Sequence, residues 1–242
     1  MTFGILHGVS VGPGDPELIT LKGLKILQSC PVVAFPAGLQ GRSGVAEQII
    51  NSYLKPEQIR LSLKFPYVQK EEILEQAWQE AAAEVWPYLE KGIDVAFACE
   101  GDISFYSTFT YLAQTLKSNH PQLGINYIAG VSSPFAGAST LGLPLTCQEE
   151  KLAILPALYC PEELEKALDW AEVVVLMKVR LVYGQVWKIL AKRELLDQAW
   201  LLEKISTAEE KIYHPLSHYP QLSLSYFSLM LIKQNQNKIG KI

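Results

Sequence analysis

Val95-Ala96-Phe97-Ala98 is apolar at every position and is followed at once by Cys99-Glu100-Gly101-Asp102, an acidic turn containing glycine. A strand with one wet face alternates, so this run predicts a strand covered on both faces, the situation of a parallel sheet. Parallel neighbours need a crossover between them, usually a helix. That constrains the whole chain to an α/β layered architecture. It also marks the turn, because ligands of such sheets sit beyond the carboxyl ends of the strands. Gly-Asp turns after strands also occur with no ligand, so the turn alone leaves a structural and a functional reading open.

The rest of the first half repeats the unit. Gly4 to Val11 is a β-branched, apolar run, and Gly12-Pro13-Gly14-Asp15-Pro16-Glu17 then forces a turn before leucines at 18, 21, 24 and 27 at helical spacing. Asp15 is placed as an N-cap, with Pro16 opening the helix and Glu17 in its first turn. Strands follow at Pro31–Phe35, Ile59–Leu63 and Ile125–Ala129, with helices at Val45–Tyr53, Lys70–Lys91 (broken late by Pro87), Ser107–Lys117 and Phe135–Leu141. Gly130-Val131-Ser132-Ser133 precedes the last of these, where amides and hydroxyls suit a carboxylate or a ribose, or simply cap the helix.

Gly142-Leu143-Pro144 reads as an interdomain turn, giving domains at 1–142 and 143–242. The second half carries strands at Lys151–Pro156, Val173–Met177, Ala199–Leu202, Lys211–Tyr213 and Leu224–Ile232, and helices at Pro161–Trp170 and Val182–Arg193. Its last strands follow one another directly, which predicts mixed or antiparallel pairing.

Composition narrows the chemistry. With 242 residues and 49% hydrophobic content, the chain can bury full cores without disulfides. Cys30, Cys99, Cys147 and Cys160 are widely spaced and read as reduced thiols. A net charge of −4 argues against a nucleic-acid partner held by a broad basic field, so any anionic ligand must be met by local cations. No basic n-region or long apolar run predicts a membrane segment, and a cytoplasmic location is expected by default. Neither a Gly-x-Gly-x-x-Gly after the first strand nor a P-loop is present. His214 and His218 are separated by Pro215 and lack a third ligand nearby, so no metal site is expected. His7, in the first strand, is read as packed, with a catalytic role held as the lesser alternative.

Three segments together carry a resemblance. Gly8-x-x-x-Gly12-Pro13-Gly14-Asp15-Pro16-Glu17-Leu18-x-Thr20-Leu21-Lys22, Glu100-Gly101-Asp102-x-x-x-Tyr106, and Gly130-Val131-Ser132-Ser133 with Gly142-x-Pro144-Leu145 resemble, in order and spacing, the signatures of the tetrapyrrole (corrin/porphyrin) methyltransferase family. The run Gly101 to Phe109 and the ending Tyr226-Phe227-Ser228 are most similar to its branch acting on C20 of precorrin-2.

The resemblance implies a two-domain α/β fold of the tetrapyrrole methylase type, mainly parallel in the N-terminal domain and mixed in the C-terminal one, with S-adenosylmethionine in the cleft between them. It implies cofactor contacts from Pro13, Gly101, Asp102, Ile103, Ser132, Ser133, Met177 and Ala208. Ile103 stands where many members have proline. The implied reaction is methylation at C20 of precorrin-2 or cobalt-precorrin-2 in cobalamin biosynthesis, by a homodimer. Asp15 and His7 are the weak candidates for a proton acceptor. Lys178, Arg180 and Arg42, with Lys22 and Lys64 behind them, are candidates for the substrate carboxylates. Two alternatives stay open: the same fold acting on another acceptor, such as uroporphyrinogen III or an RNA or protein target, and a non-catalytic tetrapyrrole- or nucleoside-binding protein.

Overall fold

The structure, a computed structural model, describes residues 2–38, 43–66, 70–156 and 160–234. It divides into two compact units, Met1–Ser132 and Ser133–Ile242, so the division falls upstream of the Gly142-Leu143 turn.

The first unit is a parallel five-stranded sheet. Strands β1 (Leu6–Ser10), β2 (Val32–Pro36), β3 (Ile59–Leu63), β4 (Val95–Cys99) and β5 (Ile125–Ile128) lie in the order β3-β2-β4-β1-β5. β1 and β4 are buried at every position, β4 as its unbroken apolar sequence requires of a strand covered on both faces, and β1 although it carries His7 and Ser10. Helices α1 (Leu21–Ser29), α2 (Val45–Ile50), α3 (Glu71–Glu90) and α4 (Phe109–Asn119) supply the crossovers. One core gathers Val85, Leu89, Phe97, Phe109 and Leu112; the other, across the sheet, gathers Val9, Leu27, Phe35, Ile49 and Ile50.

Three local expectations change. Asp15 does cap a helix, accepting the Glu17 amide at 2.8 Å, but that helix is a separate 3-10 turn, Pro16–Leu18. α1 starts afresh at Leu21 under the cap of Thr20, whose Oγ accepts the Gly23 amide at 3.1 Å, and Leu21 stays exposed. α3 runs through Pro87 to Glu90, held by the burial of Leu89 and Val85 in the core below the proline.

The second unit opens with α5 (Ser133–Thr140), where Gly137 lies against Leu202 and Leu229. Strands β6 (Leu152–Leu155), β7 (Val173–Met177), β8 (Ala199–Glu203), β9 (Lys211–Tyr213) and β10 (Ser228–Lys233) form a mixed sheet in the order β6-β7-β10-β8-β9. Only β6 and β7 pair in parallel; the other pairs are antiparallel. β9 and β10 follow one another in sequence yet do not pair, since β10 inserts between β7 and β8. Helices α6 (Pro161–Trp170) and α7 (Tyr183–Lys192) press Leu164, Leu168, Val186 and Leu190 onto this sheet. Among the described residues, no helix is long and apolar enough to cross a membrane.

Candidate functional site

In the first unit β4, β1 and β5 are neighbours and end side by side. The loops that leave them are tied into one surface. The loop after β1 meets the loop after β4 through two backbone bonds: the Gly101 amide donates to Gly12 O at 2.8 Å, and the Gly12 amide to Gly101 O at 3.3 Å. Gly101 has φ +73°, a conformation costly to residues with a Cβ, and nothing lies within 4 Å of where that Cβ would be. The turn therefore presents bare backbone to open space.

The loop after β4 is tied to the loop after β5 by Asp102. Its Oδ1 accepts the Ser104 amide at 2.9 Å and the Ser104 hydroxyl, and its Oδ2 accepts the Gly130 amide at 2.7 Å. Burial pushes the Asp102 carboxyl up. The bonds from the Ser104 hydroxyl, the Gly130 amide and the Ser104 amide outweigh it and hold the carboxyl below the usual carboxylate value. An anion so fully used as an acceptor organises loops; it is a poor proton acceptor.

Ile103 is 1% exposed and its side chain belongs to the core, while its amide donates to Ser10 Oγ at 2.8 Å. Pro13 is buried in the first loop. Ser132 is buried at the end of the first unit, and Ser133 opens α5 in the second. Thus Pro13, Gly101, Asp102 and Ile103 are brought together at one sheet end, with the Gly130 loop that leads to Ser132.

The proton-acceptor candidates fare differently. Asp15 lies in the first loop but spends Oδ1 on its cap. His7 is buried near the other end of β1, with Nε2 3.7 Å from Asp94 and Nδ1 3.4 Å from Asn126; it is not brought to the loops.

The second unit gathers its own candidates. β10 runs antiparallel, so it starts between the ends of β7 and β8. Met177 ends β7. Lys178 follows at φ +56°, donates its amide to Ser228 O at 2.7 Å, and holds Nζ 5.2 Å from the centre of the Tyr226 ring, a cation–π contact. On the far side the Lys204 amide donates to Phe227 O at 2.8 Å, and Ala208 sits exposed in the turn that follows β8. Arg180 is exposed in the 3-10 turn Val179–Leu181, and Lys22 and Lys64 are exposed in the first unit. Arg42 lies outside the described residues. Among the described residues, no group of three or more His, Cys, Asp or Glu side chains could hold a metal ion.

Two residues that reading the sequence missed stand out. Ser10 is fully buried at the end of β1, and its signal was a hydroxyl closing a mostly apolar strand just before the Gly-Pro-Gly-Asp turn. Glu203, buried at the end of β8, accepts the Ser225 amide and, at 3.0 Å, the Tyr213 hydroxyl, which shapes the chain entering β10.

A parallel sheet whose loops gather at the carboxyl ends of its strands, followed by a second, mixed unit, defines a two-unit α/β protein. A sequence profile of the Tetrapyrrole (Corrin/Porphyrin) Methylases matches residues 5–218. A precorrin-2 C(20)-methyltransferase of Sinorhizobium sp is 32% identical over 237 residues, 95% of either chain. The cobalamin biosynthesis protein CobIJ of Mycobacterium bovis is 30% identical over 237 residues, 95% of this chain, and this chain spans 46% of its length. The crystal structure of uroporphyrin-III C-methyl transferase from Thermus thermophilus complexed with S-adenyl homocysteine has the same fold, with a TM-score of 0.65 and 19% identity over 96% of this chain and 98% of that one. The chain belongs to the tetrapyrrole (corrin/porphyrin) methylase family.

Proposed function

We propose that this chain is an S-adenosylmethionine-dependent C-methyltransferase acting at C20 of precorrin-2 or cobalt-precorrin-2 in cobalamin biosynthesis. The observation that carries the reading is the end-to-end likeness, at 32% identity, to a protein named for that reaction. The loops of the first unit fit the cofactor, since the open backbone over Gly101 leaves room for a nucleoside close to the chain.

Bound there, the cofactor supplies a methyl group already activated on a sulfonium. What this chain adds is alignment, which can be worth effective concentrations on the order of 10⁵–10⁸ M. Pro13, Gly101, Asp102, Ile103, Ser132, Ser133, Met177 and Ala208 are assigned to the cofactor by resemblance. Asp102 serves by holding its loops, for its oxygens already take amides and a hydroxyl. Lys178 and Arg180, exposed beside the end of β7, are assigned with Arg42 to the substrate carboxylates; in a chain of net charge −4 such local cations must do this work. Proton removal from the methylated carbon falls to water or the substrate, with Asp15, in the first loop, as the candidate side chain. Resemblance to the family also supports a homodimer.

The test is incubation of the purified chain with methyl-labelled S-adenosylmethionine and precorrin-2, with and without inserted cobalt, followed by mass spectrometry of the product. One methyl at C20 is the expected result. A methyl elsewhere, or transfer only to uroporphyrinogen III, replaces the acceptor; absence of cofactor binding overturns the methyltransferase reading.

A further inference from the structure

Ser10 closes β1, the strand flanked by β4 on one side and β5 on the other. Its side chain is 0% exposed, and its hydroxyl both donates and accepts. The single proton is donated to Ile128 O at 2.7 Å, at the end of β5, and the oxygen accepts the Ile103 amide at 2.8 Å, in the turn after β4. One hydroxyl thus spans three strands. Above it, Asp102 crosses the same gap by accepting the Gly130 amide at 2.7 Å, while Asp102 Oδ2 and Ser10 Oγ are 3.5 Å apart. The bond from residue 103 depends on that residue's being other than proline, which has no amide hydrogen to give. Gly130 packs so close that a Cβ there would lie 2.3 Å from Ser10 Cβ.

We infer that Ser10 is a positioning residue for the methyl donor: with Asp102 it sets the spacing between the loop after β4 and the loop after β5, and so the shape of the cofactor seat. The inference rests on the methyltransferase reading above. Ser10 touches no ligand itself; its hydroxyl acts through the Ile103 amide and the Ile128 carbonyl. Ser10→Ala keeps the Cβ that packs on Gly130 and leaves both backbone groups buried and without that partner.

The experiment measures the Kd of S-adenosylhomocysteine by calorimetry for the full chain and for Ser10→Ala, Asp102→Asn, the double variant and Ile103→Pro. Gln58→Ala serves as control for lost stability, because Gln58 makes comparable buried bonds to Leu27 O and Cys30 O, both 2.7 Å, away from the loops. Ser10→Ala is expected to raise the Kd, and the KM for S-adenosylmethionine, about tenfold, with kcat at saturating cofactor within about twofold. Asp102→Asn and Ile103→Pro should weaken binding in the same sense. The double variant should fall short of the product of the singles, since both act through one element. Gln58→Ala should lower the melting temperature and leave the Kd unchanged.

A folded Ser10→Ala that binds as tightly as the parent overturns the inference. So does a Gln58→Ala that loses affinity as much, since that would trace the effect to general destabilisation. If Ser10→Ala fails to fold, Asp102→Asn, at a half-buried position, decides the question by the same Kd. No binding by the parent chain would overturn the methyltransferase reading itself, whereas parent binding with unaltered variants overturns only the role of Ser10.

Discussion

Asp102 Oδ2 accepts the Gly130 amide at 2.7 Å, joining loops that lie 28 residues apart in sequence. Because the hydrogen bonds hold the Asp102 carboxyl below its ordinary value, the unfolded chain binds this proton more readily than the folded one. The contribution to stability is therefore complete above the ordinary aspartate pKa of about 3.9 and is lost as pH falls through the lower folded value. Chemical denaturation between neutral pH and about pH 3 should show Asp102→Asn with a shallower acid-side loss than the parent. Identical slopes would show that the carboxylate is not linked to folding.

Two glycines of the same loops should lose stability to different degrees. A methyl at Gly130 meets Ser10 Cβ at 2.3 Å, so Gly130→Ala must displace the loop, at about 3 kcal/mol, the upper end of the usual range for overpacking. Gly101→Ala meets open space and costs only the left-handed backbone, about 1–2 kcal/mol. Urea denaturation of both variants checks the order, and equal costs would refute the close approach of Gly130 and Ser10.

Lys233 is 0% exposed, with Nζ 2.9 Å from Glu150 Oε2 and 3.0 Å from Pro144 O. The pair fastens the segment before β6 to the last strand, and Glu150 Oε2 also accepts the Cys147 amide at 2.8 Å. Lys233→Met leaves the Glu150 carboxylate buried without its cation, a loss of about 3–5 kcal/mol. Adding Glu150→Leu should recover much of it, because the uncompensated charge is gone; calorimetric melting of the single and double variants tests this.

The thiols should separate by burial. Burial drives Cys99 up to about 12 and Cys30 up to about 11, leaving almost no thiolate at neutral pH. Cys160 is exposed, although its hydrogen bond to the Glu162 carboxylate raises it as well. Iodoacetamide on the native chain, read by peptide mass mapping, should label Cys160 first and leave Cys30 and Cys99 unlabelled until denaturant is added. Early labelling of Cys99 would contradict the packing of β4.

Much of this was legible from local pattern. The bounds of Ile59–Leu63, Pro161–Trp170, Val173–Met177 and Lys211–Tyr213 are legible to the residue, because turn-forming or helix-opening residues flank them. The leucines at 18, 21, 24 and 27 misled because regular spacing does not reveal a cap in the middle of the run, and Thr20 restarts the helix there. Asp102 was legible as part of a turn leaving a buried strand; its bond to Gly130 was not.

By itself, then, the sequence determined the alternation of strand and helix, the turns at the strand ends and the chemistry those turns expose, for all of these depend on residues within a few positions of one another. Strand order depended on pairing between distant segments. Only the tertiary structure put β1 between β4 and β5 and β10 between β7 and β8, and so turned Ser10 into a bridge between two loops and set Lys178 beside Ser228. The physical reason is that periodicity reports which face of an element is buried, while the neighbour that buries it is chosen by the packing of the whole sheet.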